Sequence, residues 1–155
     1  MSSIQLNEPL KFNNTITLTL RDKNNDIVDK RIQKNLVTTV GLRLVLDILG
    51  CHGETGLTYC AVGTGNTAAV VGDTTLETEL DRSTSVYTRS QSVGTYSVFF
   101  NTGEANGVIT EIGFFGNDAT SSADSGTMFN RIVLSNSITK ITDYTLTIDL
   151  DIVIS

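Results

Sequence analysis

The chain has 155 residues, a formal net charge of −6, 18% charged residues and 39% hydrophobic ones. One domain suits this length. The acidic balance argues against nucleic acid, which needs a basic face against its phosphates, and against an anionic membrane surface. Thr, Ser, Asn and Gly fill many polar positions instead of charge, a mixture suited to strands and turns.

Residues 1–13 show little periodicity and contain Pro9, the only proline. They read as an arm or short edge strand ahead of a single domain over 14–155. Ile4, Leu6, Leu10 and Phe12 fall on one face of an extended segment, so the arm is a candidate for pairing with a neighbour's sheet edge. The N-terminus has neither the basic nor the apolar region of a signal peptide, and no apolar run reaches the 18 residues of a membrane span.

From Asn14 the pattern alternates, with Ile16, Leu18 and Leu20 against Thr15, Thr17, Thr19 and Arg21. That is the period of a half-buried strand. A turn over Asp22–Asp26 and a strand around Ile27–Ile32 complete a hairpin. The period then changes. Thr38 or Thr39 can cap a helix over about 39–49, with Val40, Leu44 and Ile48 on one face and Val45 and Leu49 beside them. Gly50 stands where a C-terminal glycine belongs.

Leu57–Val62 reads as a buried strand and 63–73 as a Gly/Thr/Ala loop. Further strands are predicted near Arg82–Arg89, Tyr96–Asn101, Val108–Phe115 and Thr127–Leu134, with a turn at Gly103–Gly107. Residues 117–126 form a polar loop, the best candidate for a mobile tip. In the last strand Tyr144, Leu146, Ile148, Leu150, Ile152 and Ile154 alternate with Thr145, Thr147, Asp149, Asp151 and Val153. About eight strands and one helix predict an all-β domain, a β-sandwich or jelly-roll-like fold.

Residue types that carry catalysis are sparse. His52 is the only histidine; with Glu54 nearby it could act as a base, but an exposed loop position is the plainer expectation. Cys51 and Cys60 are too few for a zinc site and are expected to be free thiols. Gly63-Thr64-Gly65-Asn66 lacks the Lys and helix of a phosphate loop. Asp149 and Asp151 share a strand face, which fits a solvated surface better than a carboxylate pair for calcium or glycosidic chemistry. No catalytic residue, metal or cofactor is expected. Phe99-Phe100 and Phe114-Phe115 are adjacent pairs that strands send to opposite faces. One member of each then needs cover from another layer or another subunit, which makes all four candidate interface residues.

Four segments carry a resemblance: Asn35–Leu42, Tyr59–Ala68, Ile109–Phe115, and Met128–Arg131 running into Tyr144–Ile148, with Thr75, Leu76, Glu79 and Arg82 between the second and third. In order and spacing they resemble a group of small structural proteins of tailed bacteriophages and prophages, described as tail-fibre or virion-associated proteins. The group often carries a proline in an S-P-I-T-K stretch, where this chain has Ser137-Ile138-Thr139-Lys140 after Asn136. The resemblance covers roughly residues 35–154. It implies a non-enzymatic virion component, made in the host cytoplasm and placed as head decoration, head-fibre base, or tail or collar piece. Its implied partners are itself, as a homo-oligomer with a trimer as the first guess, and other virion proteins such as capsid, tail or collar proteins. The alternative is a carbohydrate-binding, lectin-like module for receptor recognition, disfavoured by the absence of Trp and the presence of only four Tyr.

Overall fold

The computed structural model describes residues 11–154. It is an all-β fold with one short helix. The strands are β1 (Phe12–Arg21), β2 (Ile27–Lys34), β3 (Leu36–Val37), β4 (Leu57–Gly63), β5 (Glu79–Ser90), β6 (Val93–Phe100), β7 (Gly107–Gly116), β8 (Thr127–Lys140) and β9 (Thr145–Ile154); α1 spans Thr39–Leu49. The two-residue β3 and the extension of β8 to Lys140 carry no alternating pattern long enough to read from sequence.

All pairings are antiparallel, in the order β2-β1-β9-β6-β5-β4-β7-β8-β3. β5 turns the corner: Glu79–Thr84 pairs with β4 and Ser85–Ser90 with β6. The sheet therefore folds into two layers, β2-β1-β9-β6-β5 against β5-β4-β7-β8-β3, the usual device of a strand shared between packed sheets. The far edges approach each other. Gln33 on β2 donates to the Val133 carbonyl at 2.9 Å, and Arg31 donates to the Asn136 carbonyl. Asp29, Arg31 and Gln33 stand opposite Leu20, Leu18 and Ile16 in register, so the inner face of edge strand β2 is polar. Inward charge on an edge strand blocks pairing with other chains.

The core lies between the layers. Ile16, Leu18 and Leu20 meet Leu146, Ile148 and Leu150 on one side, and Cys60, Val62, Ile112 and Phe114 on the other. The alternation of β1 and β9 thus maps directly onto burial. A second, smaller cluster lies on the outer face of the β4-β7-β8 layer, where Ala61, Phe115 and Met128 are covered by Leu76.

Helix α1 closes one end. Thr38 is its N-cap: its hydroxyl accepts from the Gly41 N–H at 2.9 Å and donates to the Met128 carbonyl at 2.6 Å. Gly41 lies so close to β8 that a Cβ would run into the Phe129 carbonyl. The helix end differs from the sequence reading. Gly50 keeps right-handed φ and ψ, while Cys51 takes the left-handed turn at φ 54°. The His52 N–H then bonds to the Asp47 carbonyl and the Cys51 N–H to Ile48, the pair of bonds that ends many helices. Both cysteines are free, Cys51 exposed and Cys60 buried.

Candidate functional site

Where β1 begins and β9 ends, an open groove of about 370 Å³ runs between α1 and the β5–β6 hairpin. Leu44, Val45 and Ile48 form its helical wall, Tyr87 and Tyr96 its hairpin wall, and Ile152, Ile154 and Phe12 its third side. The two tyrosines are direct cross-strand partners, with ring centroids 4.8 Å apart. Gly94 makes room for them, since a Cβ there would stand 3.0 Å from the Tyr87 ring. Burial, and then the neighbouring Tyr87, push the Tyr96 hydroxyl up from its ordinary pKa, so it stays a neutral hydrogen-bonding tip. Arg89, at the rim with Gln91 and Ser92, is the one charged side chain in the lining among the described residues. Walls of this composition suit apolar groups.

The apolar surface continues onto the helix. Leu42, Leu46 and Leu49 recur at i, i+4 and i+7 and are exposed, Leu46 by 66% and Leu49 by 74%. An amphipathic helix at a protein surface normally turns a polar face to water. Here the second apolar stripe adjoins the groove wall, and contiguous patches of this kind mark interaction sites.

The buried charges belong to a different part of the molecule. The Glu111 carboxylate on β7 is fully buried and accepts the N–H groups of Gly65 (2.9 Å), Thr78 (2.8 Å) and Glu77 (3.0 Å). Arg131 on β8 lies 2.8 Å from Glu111 and 2.9 Å from Asp73. Burial opposes the Arg131 charge, but the hydrogen bonds it donates to Asp73 and Glu111 outweigh it and raise the pKa above the usual guanidinium value. Glu77 in turn accepts the N–H groups of Asn66 and Thr67, each at 2.9 Å. The glycines fit this cluster closely: a Cβ on Gly65 would sit 2.5 Å from Glu111 Oε1, and one on Gly63 would sit 2.6 Å from it. Apart from Arg131, the groups that Glu111 and Glu77 hold are backbone N–H groups of the β4–β5 connection. The cluster's work is to fasten the β4–β5 connection across the sheet. Arg82 does the same for the 117–126 loop. It pairs with Glu79 at 2.6 Å, lies 4.8 Å over the Phe115 ring and donates to Thr120 and Ser125. The loop read as a mobile tip is therefore tied to the sheet by Arg82, and by Glu79 through the Asp124 N–H.

Ile4, Leu6 and Leu10 lie outside the described residues. Phe12, read from sequence as the end of an arm or short edge strand over 1–13, begins β1: it pairs with Ile154 and lines the groove. Of the four paired phenylalanines only Phe99 is exposed, by 54%; Phe100, Phe114 and Phe115 are fully buried within the chain. Of the two kinds of cover open to the pairs, another layer or another subunit, Phe115 has the first: Leu76 and Arg82 cover it from the same chain. His52 is exposed after the helix. Asp149 and Asp151 bond to Ser97 and Thr95 on the outer face of their sheet, and no group of His, Cys, Asp or Glu among the described residues could hold a metal. Sequence reasoning missed Val45, Tyr87 and Tyr96 as groove residues. The available signal was the helix itself, which carries more leucine than one buried face can use. No family model, curated protein or solved structure matches the chain.

Proposed function

We propose that the chain is a non-enzymatic structural component of a tailed-phage particle, acting by self-association and by docking to other virion proteins. The observation that carries this reading is the apolar surface formed by the groove and the Leu42–Leu46–Leu49 stripe of α1. Burying a large apolar side chain gains about 1.5–3 kcal/mol, so several buried together can offset the freedom lost on association. The resemblance over residues 35–154 supports the same reading. Its motif residues Thr38, Gly41, Gly63, Gly65, Leu76, Glu79, Arg82, Glu111 and Arg131 have architectural work, as cap, close-approach sites, packing and loop fasteners. Closed symmetry is the common outcome of self-association, and a trimer is the proposed state.

Sedimentation equilibrium tests the assembly. A discrete multiple of the 16.7 kDa chain mass is expected, falling to the monomer mass in Leu46→Lys with an unchanged circular dichroism spectrum. A wild-type monomer at high concentration overturns the reading. Immunolabelling of tailed particles from cells that produce the chain tests the virion assignment, and unlabelled particles contradict it.

A further inference from the structure

We infer that α1 packs antiparallel against α1 of a second copy of this chain, leucine stripe against leucine stripe across a two-fold axis. The inference rests on the self-assembly reading and names its contact. Leu42, Leu46 and Leu49 are exposed and lie on the side of the helix away from its buried residues, Gly41 and Leu44. At 3.6 residues per turn, Arg43 and Asp47 form a charged row along one flank of this stripe. Val45 marks the other flank, where the helix walls the groove. Neither Arg43 nor Asp47 has an ion-pair partner among the described residues.

The order of these side chains complements itself in reverse. A two-fold axis at Leu46 sets that residue on its own counterpart. Leu42 and Leu49 stand on either side of Leu46, so each meets the other on the second copy. The same operation brings Arg43 to within roughly 3 Å along the helix axis of Asp47 on the second copy, at 1.5 Å of rise per residue. An arginine side chain spans that offset, and the symmetry makes the pair twice. Both charged rows fall on one side of the helix pair and both grooves on the other, so the grooves adjoin and lengthen the apolar contact. Parallel packing with the stripes level would instead set Arg43 beside Arg43 and Asp47 beside Asp47, and like charges across an interface disfavour it. Contact of one patch with its own copy is the isologous kind. It joins copies two by two, giving two chains by itself and six in combination with a three-fold ring.

Cysteine cross-linking of the full chain tests the orientation. A Cys51→Asn background removes the exposed thiol and leaves the buried Cys60; Asn tolerates the left-handed backbone at position 51. Isotopically heavy Leu42→Cys chain is mixed with light Leu49→Cys chain, oxidised mildly and digested. The expected product is a linked peptide with a heavy half from position 42 and a light half from position 49. Links confined to 42–42 and 49–49 pairs show parallel packing and overturn the inference, and so does the absence of any link in samples that remain oligomeric. A charge swap leaves the leucines intact and gives an independent readout. Arg43→Asp or Asp47→Arg should weaken association about five- to twenty-fold, as expected for two rim ion pairs turned into like charges, and the two substitutions together should restore it. Single variants that associate like the parent, or equal loss in the double variant, contradict the contact. Sedimentation equilibrium on the unaltered chain separates the two readings: an assembly of three chains overturns the two-fold contact and leaves self-assembly standing, whereas a monomer removes both.

Discussion

The Glu111 carboxylate and the Arg131 guanidinium meet at 2.8 Å on the outer face of the β7–β8 pair, and together they fasten the long β4–β5 connection to the sheet. Both are buried, and a buried pair is worth most when one partner is removed. Arg131→Met leaves the Glu111 charge with backbone donors alone and should cost about 3–5 kcal/mol in urea unfolding. Replacing Glu111 as well should not recover that loss, because the N–H groups of Gly65, Glu77 and Thr78 then lose their acceptor. A single-variant cost below about 1 kcal/mol would mean that the fold does not depend on the ion pair.

Acid should loosen the same loop. The Thr67 N–H and then its side chain hold the Glu77 carboxyl below its usual pKa against the opposing effect of burial, and the Asn66 N–H and the Arg131 charge add to the lowering. The folded state therefore releases this proton more readily than the unfolded chain. Its contribution is present above the ordinary carboxylate pKa and is lost as pH falls through the lowered value. Urea midpoints of wild type and Glu77→Gln should differ at neutral pH and converge in acid. A difference that stays constant to low pH contradicts this origin.

Glycine replacements should separate sites of close approach from open turns. Gly41→Ala drives a methyl into the Phe129 carbonyl, and Gly65→Ala drives one into Glu111. Each should destabilise the protein by about 1–3 kcal/mol or more. Gly72→Ala meets nothing within 4 Å and should be close to neutral. Thermal unfolding of the three variants gives the comparison.

The thiols should react very differently. Burial pushes the Cys60 thiol well above its ordinary pKa, despite the opposing Arg82 charge, and the thiolate is the reactive form. Cys51 is exposed. A thiol reagent should label one cysteine in the native protein and two after denaturation. Rapid native labelling of both would show that the β4 core opens readily.

Much of the fold was legible because period-two patterns translate directly into burial. Ile16, Leu18 and Leu20, and Leu146, Ile148 and Leu150, face the core as the alternation requires. Thr38 was readable as a cap for the same reason, since its hydroxyl acts locally. The partners of the paired phenylalanines were not legible. Cover for Phe115 comes from Leu76 and Arg82, distant in sequence and placed by tertiary structure alone. The groove escaped notice on the same ground: Ile48, Tyr87 and Ile154 belong to three elements with no local pattern in common.

Hydrogen–deuterium exchange at two protein concentrations tests most directly whether the groove and α1 form the assembly surface. Raising the concentration should slow exchange in residues 42–49, in the β5–β6 hairpin around Tyr87–Tyr96 and at the end of β9, while the outer face of β1 and β9, which carries Thr and Asp, stays unchanged. Protection confined to that outer face, or no change at any position in a sample that has become oligomeric, would place the assembly surface elsewhere.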